Sequence, residues 1–552
     1  MFTSLVAPLL VLSLGGPVDP GTPGGPNLVV QAQPISRWIT DIRSLRRVLE
    51  PGDPQNADKQ FEQSLKQILG EKGFEGIDLD RPISGYGTLA ATPTESQFVM
   101  VIPITGQDEF LALLDRLPEK LKADPEDGKK GLFRIAGRGA LPISMYLRIV
   151  DQNAYVSFND EDGSLLDPAK LLPSAKLVDP ADQSSLTIRA FPDRLPAKLI
   201  RQTFDQFTQR KKDFLQGNAR GGRAMFMVGF VRMAILSPLT LISSSHLDAM
   251  FTEGRDVALR ISLTPTSEVA VEIAVTPKPN TKLAASIASY SPGTNRFSGL
   301  IPRNPALGVQ IKLPFSVPDT RDTALDVLKL IEENNTGANG DVQPVLDELF
   351  KGLARTIKAG DFEAAGGMSE PGERALCHII GAASFDDTSG LEKSLRKLAA
   401  SLPASVRGKE LITFDVAKVK GVNLHTIKLG SVLDDNLRSQ LGEDALLCIA
   451  MAPQAIHFAM GPQPIPLVQA SLEPKANDAK MLSVDTNIAT LQRVIELASV
   501  PAGKKFKAMV GGENRMTTIV GLTAKGGAEF RFRMSFDPRF LPHATGAAAP
   551  PR

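Results

Sequence analysis

The amino-acid sequence predicts an α+β protein of two tandem homologous units, each a mainly antiparallel sheet with helices packed on one face. Two observations lead to this prediction. Apolar strands follow one another across tight turns, as in hairpins, with few helices between them. A strand that leads into an amphipathic helix also occurs twice, at Leu28–Leu49 and again at Leu307–Ile331. Similar segments in the same order at large spacing indicate an internal duplication.

Residues 27–277 form the first predicted unit. The unit begins with a predicted strand at Val29–Ala32. The first helix is predicted next, because isoleucines recur at helical spacing at positions 35, 39 and 42. The later predicted elements are a helix at Phe61–Leu69, a hairpin of Gly85–Ala91 and Gln97–Ile104, a helix at Gln107–Leu117, strands at Leu132–Ala136, Ile143–Val150, Ala154–Phe158 and Ser185–Ala190, a helix from Asp193, and a hairpin of Val257–Thr264 and Glu268–Val275.

Residues 306–540 form the second predicted unit, whose apolar residues follow those of the first in order. The matched pairs include Val30 with Val309, Leu186 with Leu482, and Leu263 with Leu522, at offsets of 279, 296 and 259 residues. The fall from 296 to 259 gives the first unit 37 extra residues, in an insert near 204–255. Its apolar part, Ala224–Ile242, predicts helices packed on the core, and a segment that lies on a membrane or docks a partner is the alternative.

Residue composition also predicts the roles of the two ends of the chain and of the segment that joins the units. Residues 1–26 are predicted to be a signal peptide and linker, because the apolar run Leu5–Leu14 precedes small residues and a Pro/Gly tract. The predicted location is therefore exported, either periplasmic or extracellular. Residues 278–305 are predicted to be a linker between the units, and 541–552 a disordered tail.

Charge and residue usage narrow the function classes. The formal net charge of +1 predicts no nucleic-acid partner. The chain has 26 Phe but only 4 Tyr and 1 Trp, which favours dry cores over aromatic platforms that stack sugars or bases. Its two cysteines, Cys377 and Cys448, lie in apolar runs and are expected to be buried free thiols, with a disulfide as the alternative.

Common catalytic motifs are absent from the sequence. It contains no phosphate-binding loop, no dinucleotide fingerprint, no G-x-S-x-G elbow and no H-E-x-x-H. We therefore predict no catalytic, cofactor-binding or metal-ligating residue, and no cofactor. His378, His425 and His457 lie in predicted strands of the second unit, where three imidazoles on one sheet could bind zinc. Separate histidines within the sheet are the favoured interpretation.

Acidic residues lie mostly in turns and at helix starts. Asp108-Glu109 and Asp386-Asp387 each lie at the start of a predicted helix, Gln107–Leu117 or Ser389–Leu402, where negative charge is stabilising, so a structural role is expected for both pairs. The run Asp160–Gly163 is like half of a calcium-binding loop, but it lacks the later glutamate. We expect it to be a solvated turn.

Three segments of the first unit set a common pattern: an apolar strand QFVMVIPI, a helix DEFLALLDRL with an acidic start, and a strand pair YLRIVDQNAYVSF. This pattern resembles that of exported bacterial proteins of unknown function, which carry duplicated α+β units behind a signal peptide. The resemblance covers most of Asn27–Phe536. It implies architecture and export, and it brings no functional residues with it.

Three functions are compatible with these observations. The favoured one is an exported, non-enzymatic binding or structural protein of the cell envelope, whose partner is a protein or an apolar ligand. If the protein also contacts a membrane surface, residues 224–242 are the segment expected to make that contact. The first alternative is a carrier of an apolar ligand or lipid between sheet and helices, with the insert as its lid. The second alternative is a metal-dependent hydrolase in the second unit.

Overall fold

The computed structural model describes most of the chain. The described residues are 25–49, 54–92, 95–117, 121–136, 144–202, 205–206, 209, 244–263, 268–290, 293–303, 305–315, 318–335, 342–369, 377–402, 411–429, 438, 441–473, 476–479, 481–498 and 519–536. The predicted signal peptide, the apolar segment Ala224–Ile242 and the predicted tail lie outside them. Contacts divide the chain into two compact units. The first consists of the residues up to Thr208 together with Asp248–Lys278, and the second consists of Gln209–Leu247 together with the residues from Pro279 onward.

The first unit is built on a fully antiparallel sheet. Its strands are β1 Leu28–Ala32, β2 Ile83–Thr88, β3 Gln97–Pro103, β4 Lys122–Pro125, β5 Leu132–Ala136, β6 Met145–Val150, β7 Asn153–Phe158, β8 Leu186–Ala190, β9 Gly254–Leu263 and β10 Val269–Pro277. The strand order is β10-β9-β8-β1-β2-β3-β7-β6-β5-β4. Helices in this part of the chain include α1 Ile35–Leu49, α2 Pro54–Leu69, α3 Gln107–Arg116 and α4 Ser244–Thr252, and the described residues 197–202 are also helical.

The second unit is also built on an antiparallel sheet. Its strands are β11 Gly293–Asn295, β12 Leu307–Pro314, β13 Asp361–Met368, β14 Ile379–Ser384, β15 Ile412–Val419, β16 Val422–Lys428, β17 Leu446–Ala452, β18 Ala455–Gly461, β19 Asn477–Ala479, β20 Leu482–Asn487, β21 Ile519–Lys525 and β22 Phe530–Phe536. The order is β22-β21-β20-β12-β13-β14-β18-β17-β16-β15, and β11 pairs separately with β19. The helices are α5 Lys282–Ser289, α6 Pro318–Asn335, α7 Gln343–Ala359, α8 Ser389–Ser401, α9 Pro464–Ser471 and α10 Ile488–Ala498.

The α+β class with antiparallel sheets is thus confirmed, and the two main sheets share one strand order. When β11 and β19 are left out, each unit has ten strands, which can be numbered one to ten in chain order. In both sheets the eighth strand pairs with the first, the ninth with the eighth, and the tenth with the ninth. The register agrees as well, because Val30 pairs with Ile188 and Val309 pairs with Val484. These are the pairs that the sequence matches at offsets of 279 and 296 residues.

The last matched hairpin needs a correction. Ile188 lies opposite Leu259, and Val484 lies opposite Leu522, so Leu259 occupies the place of Leu522. The sequence match of Leu263 with Leu522 is therefore displaced by four residues. Alternating apolar residues fit a strand equally well after any even shift, which is why the pattern alone chose the wrong partner.

The prediction that helices pack on one face is wrong for the second unit. Helix α8 packs Leu391 and Leu395 against Ile449 of β17. Helix α9 packs Val468 against Cys448 of β17. Because successive residues of a strand point to opposite faces, α8 and α9 cover opposite faces of this sheet. The α9 side is lined by small residues, Ala450 and Ala459 among them, which let a helix approach closely.

The segment 278–305 is not a plain linker. It contains α5, β11 and a 3₁₀ turn at Ser298–Leu300, and Leu283, Ile287 and Phe297 are buried. The Thr281 hydroxyl caps α5 by accepting a hydrogen bond from the Ala284 amide. This segment is therefore a folded part of the second unit.

Both cysteines are free and buried, as the sequence predicts. Burial raises the pKa of each thiol to about 11. Because the thiolate is the reactive form, we expect neither Cys377 nor Cys448 to react with a thiol-specific disulfide reagent at pH 8 in the native protein. Both should react at once in guanidinium chloride. Rapid labelling of one thiol in the native protein would contradict its burial.

Candidate functional site

A polar cleft with a volume of about 490 Å³ lies within the second unit. It forms where α7 ends and β13 begins, beside the end of β14 and the turn between β17 and β18. Its charged or hydroxyl-bearing lining includes Arg296, Lys312, Glu363, Ser384, Asp361 and Asp386. Pockets of 300–1,000 Å³ are the usual size of small-molecule sites, so the cleft is large enough to hold one.

A polar row crosses three neighbouring strands at the floor of the cleft. Lys312 of β12 lies directly opposite Glu363 of β13, and its Nζ is 3.1 Å from Glu363 Oε1. The Glu363 amide donates a hydrogen bond to Ser384 Oγ on β14, at 3.1 Å. Strand pairing therefore fixes the three side chains next to one another on one face.

Arg296 is a second cation beside this polar row, and together with Lys312 it makes this end of the cleft cationic. Its Nε is 3.4 Å from Glu363 Oε2, and its Nη2 donates to Ser384 Oγ at 2.8 Å and to the Gln454 carbonyl at 3.3 Å. The guanidinium also lies 4.7 Å from the centre of the Phe297 ring. Arg296 is therefore held on several sides.

The neighbouring Asn295 anchors the main chain of this loop. Its side-chain amide donates to the carbonyls of Ile311 and Ala364, and its Oδ1 accepts the Phe297 amide at 2.8 Å. Asn295 is completely buried. A buried polar side chain with its hydrogen bonds satisfied fixes the local main chain, so the backbone that carries Arg296 is held beside the cleft.

The opposite end of the cleft is acidic. Asp361 and Glu363 are two residues apart on β13, so both side chains lie on the same face. Asp386 is 3.7 Å from Arg355 Nε, and its amide donates to Thr356 Oγ1 at 2.8 Å. One end of the cleft therefore carries two cations that share Glu363, and the other carries the carboxylates of Asp361 and Asp386.

The first unit has no charge at the corresponding positions. By strand register, Lys312, Glu363 and Ser384 correspond to Gln33, Pro82 and Pro103. The same strand order is thus built without the charged row, and the fold does not require it. Sequence patterns single out only Asp386 among the cleft residues. The others come from separate segments of the chain and form no local motif.

The three histidines do not converge on one site. His425 aligns through Ile449 with Phe458, whereas the neighbouring residue His457 aligns with Ala450. His425 and His457 therefore point to opposite faces of the sheet. His378 lies just before β14, and burial lowers its pKa.

His425 belongs to a separate network with Glu392, Asp415 and Arg396. Side-chain ligand atoms of His425, Glu392 and Asp415 lie within 4.8 Å of one another, a grouping that could hold a metal. Arg396 Nη2 however lies between the two carboxylates, 2.7 Å from Glu392 Oε1 and 2.9 Å from Asp415 Oδ1. The guanidinium already supplies the positive charge of this cluster.

The tautomer of His425 also opposes metal binding in this arrangement. Its Nδ1 accepts the Asp415 amide at 3.2 Å, which assigns the proton to Nε2, 3.5 Å from Glu392 Oε1. A metal at Nε2 would need the other tautomer, in which Nδ1 carries the proton and no longer accepts the hydrogen bond from the Asp415 amide. Burial lowers the pKa of His425, and the nearby Glu392 opposes this shift. The cluster is best described as an ion-pair network that fixes the bulge of β15.

His457 forms a buried contact with a serine that the sequence did not single out. Its Nδ1 is 3.0 Å from Ser471 Oγ. The serine hydroxyl donates to the Val468 carbonyl at 2.7 Å, so its proton is not directed at the imidazole. The pair therefore lacks the arrangement in which a histidine activates a serine nucleophile. Burial, with a smaller effect of Arg296, lowers the pKa of His457 to about 4.

The acidic residues singled out in the sequence have structural positions. Asp108 and Glu109 lie in the first turn of α3, and Asp387 Oδ1 accepts the Ser389 amide at the start of α8. The expectation of a solvated turn is wrong for Asp160, which is buried and accepts hydrogen bonds from Ser157 Oγ and the Leu165 amide. Burial raises the pKa of Asp160.

No protein-family model matches this chain, and no curated protein and no solved structure shows significant similarity to it. Among the helices that the structure describes, none is both long enough and apolar enough to cross a bilayer.

Proposed function

We propose that this chain is an exported, non-enzymatic binding protein, and that the polar cleft of its second unit holds the ligand. The observation that carries the proposal is the polar row of Lys312, Glu363 and Ser384, together with Arg296, which contacts both Glu363 and Ser384. These side chains are held in ion pairs and hydrogen bonds with one another. Such an arrangement recognises polar groups. The carboxylate next to Ser384 is that of Glu363, and it is held in ion pairs with Lys312 and Arg296 instead of accepting the serine proton.

A tandem duplication accounts for how such a cleft could arise. The shared strand order and the shared register of the two main sheets support a common origin for the two units. After duplication, one copy can keep an uncharged version of the position, as at Gln33, Pro82 and Pro103, while the other acquires charge. The charged positions of the cleft then distinguish the second unit from the first.

The export part of the proposal rests on the apolar run Leu5–Leu14 and on the small residues that follow it. Fractionation of cells that express the full-length chain tests it. We expect the protein outside the cytoplasm, with its N-terminus shortened near Ser13-Leu14-Gly15. Recovery of the intact chain in the cytoplasm would contradict export.

Thermal unfolding of the full chain with a panel of ligands tests the binding proposal. The panel contains amino acids, short peptides, sugars, nucleotides, inorganic anions, fatty acids and zinc. A ligand present at a hundred times its Kd adds about 2.7 kcal/mol of stability, so we expect at least one class to raise the Tm by several degrees. A response to fatty acid alone would favour the carrier alternative, and a response to zinc alone the hydrolase.

Two variants locate the response. Arg296→Gln removes a cation from the cleft and should abolish the Tm increase. Lys351→Gln removes a cation of the same unit that lies outside the cleft lining, on α7, where it pairs with Glu348. It should leave the increase unchanged. A panel without any response, or a response that survives in Arg296→Gln, would refute the binding proposal.

A further inference from the structure

The cationic end of the cleft retains hydrogen-bond donors for a ligand. A lysine ammonium has three donors. Lys312 directs Nζ to the Thr294 carbonyl at 2.6 Å and to Glu363 Oε1 at 3.1 Å, which leaves the third for a ligand. Arg296 binds its protein partners through Nε and Nη2, so Nη1 remains for the same purpose. Glu363 balances only one of these two cations, and the cleft end keeps an excess positive charge.

The acidic end lies a defined distance away. Lys312 is directly opposite Glu363, and Asp361 is two residues further along β13. One strand spacing and two residue rises separate Lys312 from Asp361 by roughly 8 Å along the sheet. Because Asp386 is beside Arg355, Asp361 is the carboxylate left to balance a cationic group on a ligand.

This separation of charge disfavours simple ions. An inorganic anion at Lys312 would feel repulsion from Asp361 and Asp386, and a simple cation at Asp361 would feel repulsion from Lys312 and Arg296. A molecule with a carboxylate at one end and an ammonium at the other is attracted at both ends. The hydroxyls of Ser384 and Thr356 also line the cleft.

We infer that the ligand of the cleft is a short peptide with free ends, bound with its carboxylate at Lys312 and Arg296 and its ammonium at Asp361. An extended chain advances roughly 3.3–3.6 Å per residue, so two or three residues match the roughly 8 Å between the main-chain positions of Lys312 and Asp361, from which the two charged side chains extend. This inference rests on the proposed function, because it names the class of ligand for the same cleft.

Titration calorimetry with three matched peptides tests the inference. The probes are glycylglycylglycine, its N-acetylated form and its C-terminal amide. We expect the free peptide to bind saturably, and each blocked form to bind at least about tenfold more weakly, since each lacks one charge. Equal binding of all three would overturn the inference, and so would no saturable binding of the free peptide at about 10 mM.

Variants assign each end of the peptide. Asp361→Asn should remove the difference between the free and the N-acetylated peptide while keeping the penalty for the amide. Lys312→Gln should do the reverse, and Lys351→Gln should change neither. If both variants weaken all three peptides equally, the charged ends are not read by these residues and the inference fails. Should the ligand panel instead yield a sugar or a nucleotide whose effect requires Arg296, the inference falls while the proposed binding function stands.

Discussion

Replacement of Phe385 by alanine is expected to lower the free energy of unfolding of the second unit by about 3–5 kcal/mol, as for other buried aromatic residues. Phe385 is 2% exposed and packs in one cluster with Leu391, Leu395 and Met451. Its ring also lies against Gly352 of α7, where an added Cβ would be 2.0 Å from Phe385 Cζ. The glycine leaves no side chain to fill the space, so the truncation leaves a cavity.

Hydrogen exchange measured by mass spectrometry under native conditions resolves this effect. A single denaturant curve for a chain of two units need not be two-state, whereas amides of β14 and β17 report the second unit directly. The matched control is Val342→Ala, since Val342 is 36% exposed and a surface substitution changes stability by about 0.5 kcal/mol or less. A loss below about 1 kcal/mol for Phe385→Ala would contradict the tight packing described here.

Much of the sheet could be predicted from the sequence, because burial on one face imposes a period of two. The strand β3, QFVMVIP, alternates between buried and partly buried positions over its full length, and the pattern is visible without a structure. The helix α5 was missed, although Thr281 is a recognisable N-cap and Leu283 and Ile287 have helical spacing. Its Pro- and Ser-containing surroundings concealed it.

The cleft could not be predicted in the same way. Arg296, Lys312, Glu363 and Ser384 come together only because β12, β13 and β14 are neighbours and because Asn295 anchors the loop beside them. A lysine in one strand and a glutamate in another, some fifty residues apart, have no sequence pattern that differs from an ordinary solvated pair. The histidines were more conspicuous because they are rare, but strand alternation separates them. The zinc hypothesis was based on the small number of histidines, and the fold does not bring these histidines together.

Acidification from pH 6.5 to pH 4 is expected to destabilise the second unit by about 3 kcal/mol through His457 alone, given a pKa of about 4 in the folded protein and 6.5 in the unfolded chain. Since the pKa is lowered on folding, the unfolded chain binds the proton more readily. The contribution of neutral His457 is therefore complete above pH 6.5 and is lost as the pH falls toward 4. The pKa values of His378 and His425 are also lowered by burial, so both add in the same direction.

Hydrogen exchange of β17 and β18 as a function of pH, corrected for the intrinsic exchange rate, measures this slope. His457→Asn keeps a donor near Ser471 Oγ but does not titrate, so its stability should fall less steeply between pH 6.5 and 4. The effect arises mainly from burial, and added salt screens exposed charges far more than buried ones, so 0.5 M sodium chloride should leave the difference between the two proteins in place. Identical slopes for the wild type and His457→Asn would mean that His457 is accessible to protons in the folded state. Carboxylates such as Asp387, whose pKa is lowered by hydrogen bonds from Ser389, are present in both proteins, so their titration cancels in the comparison.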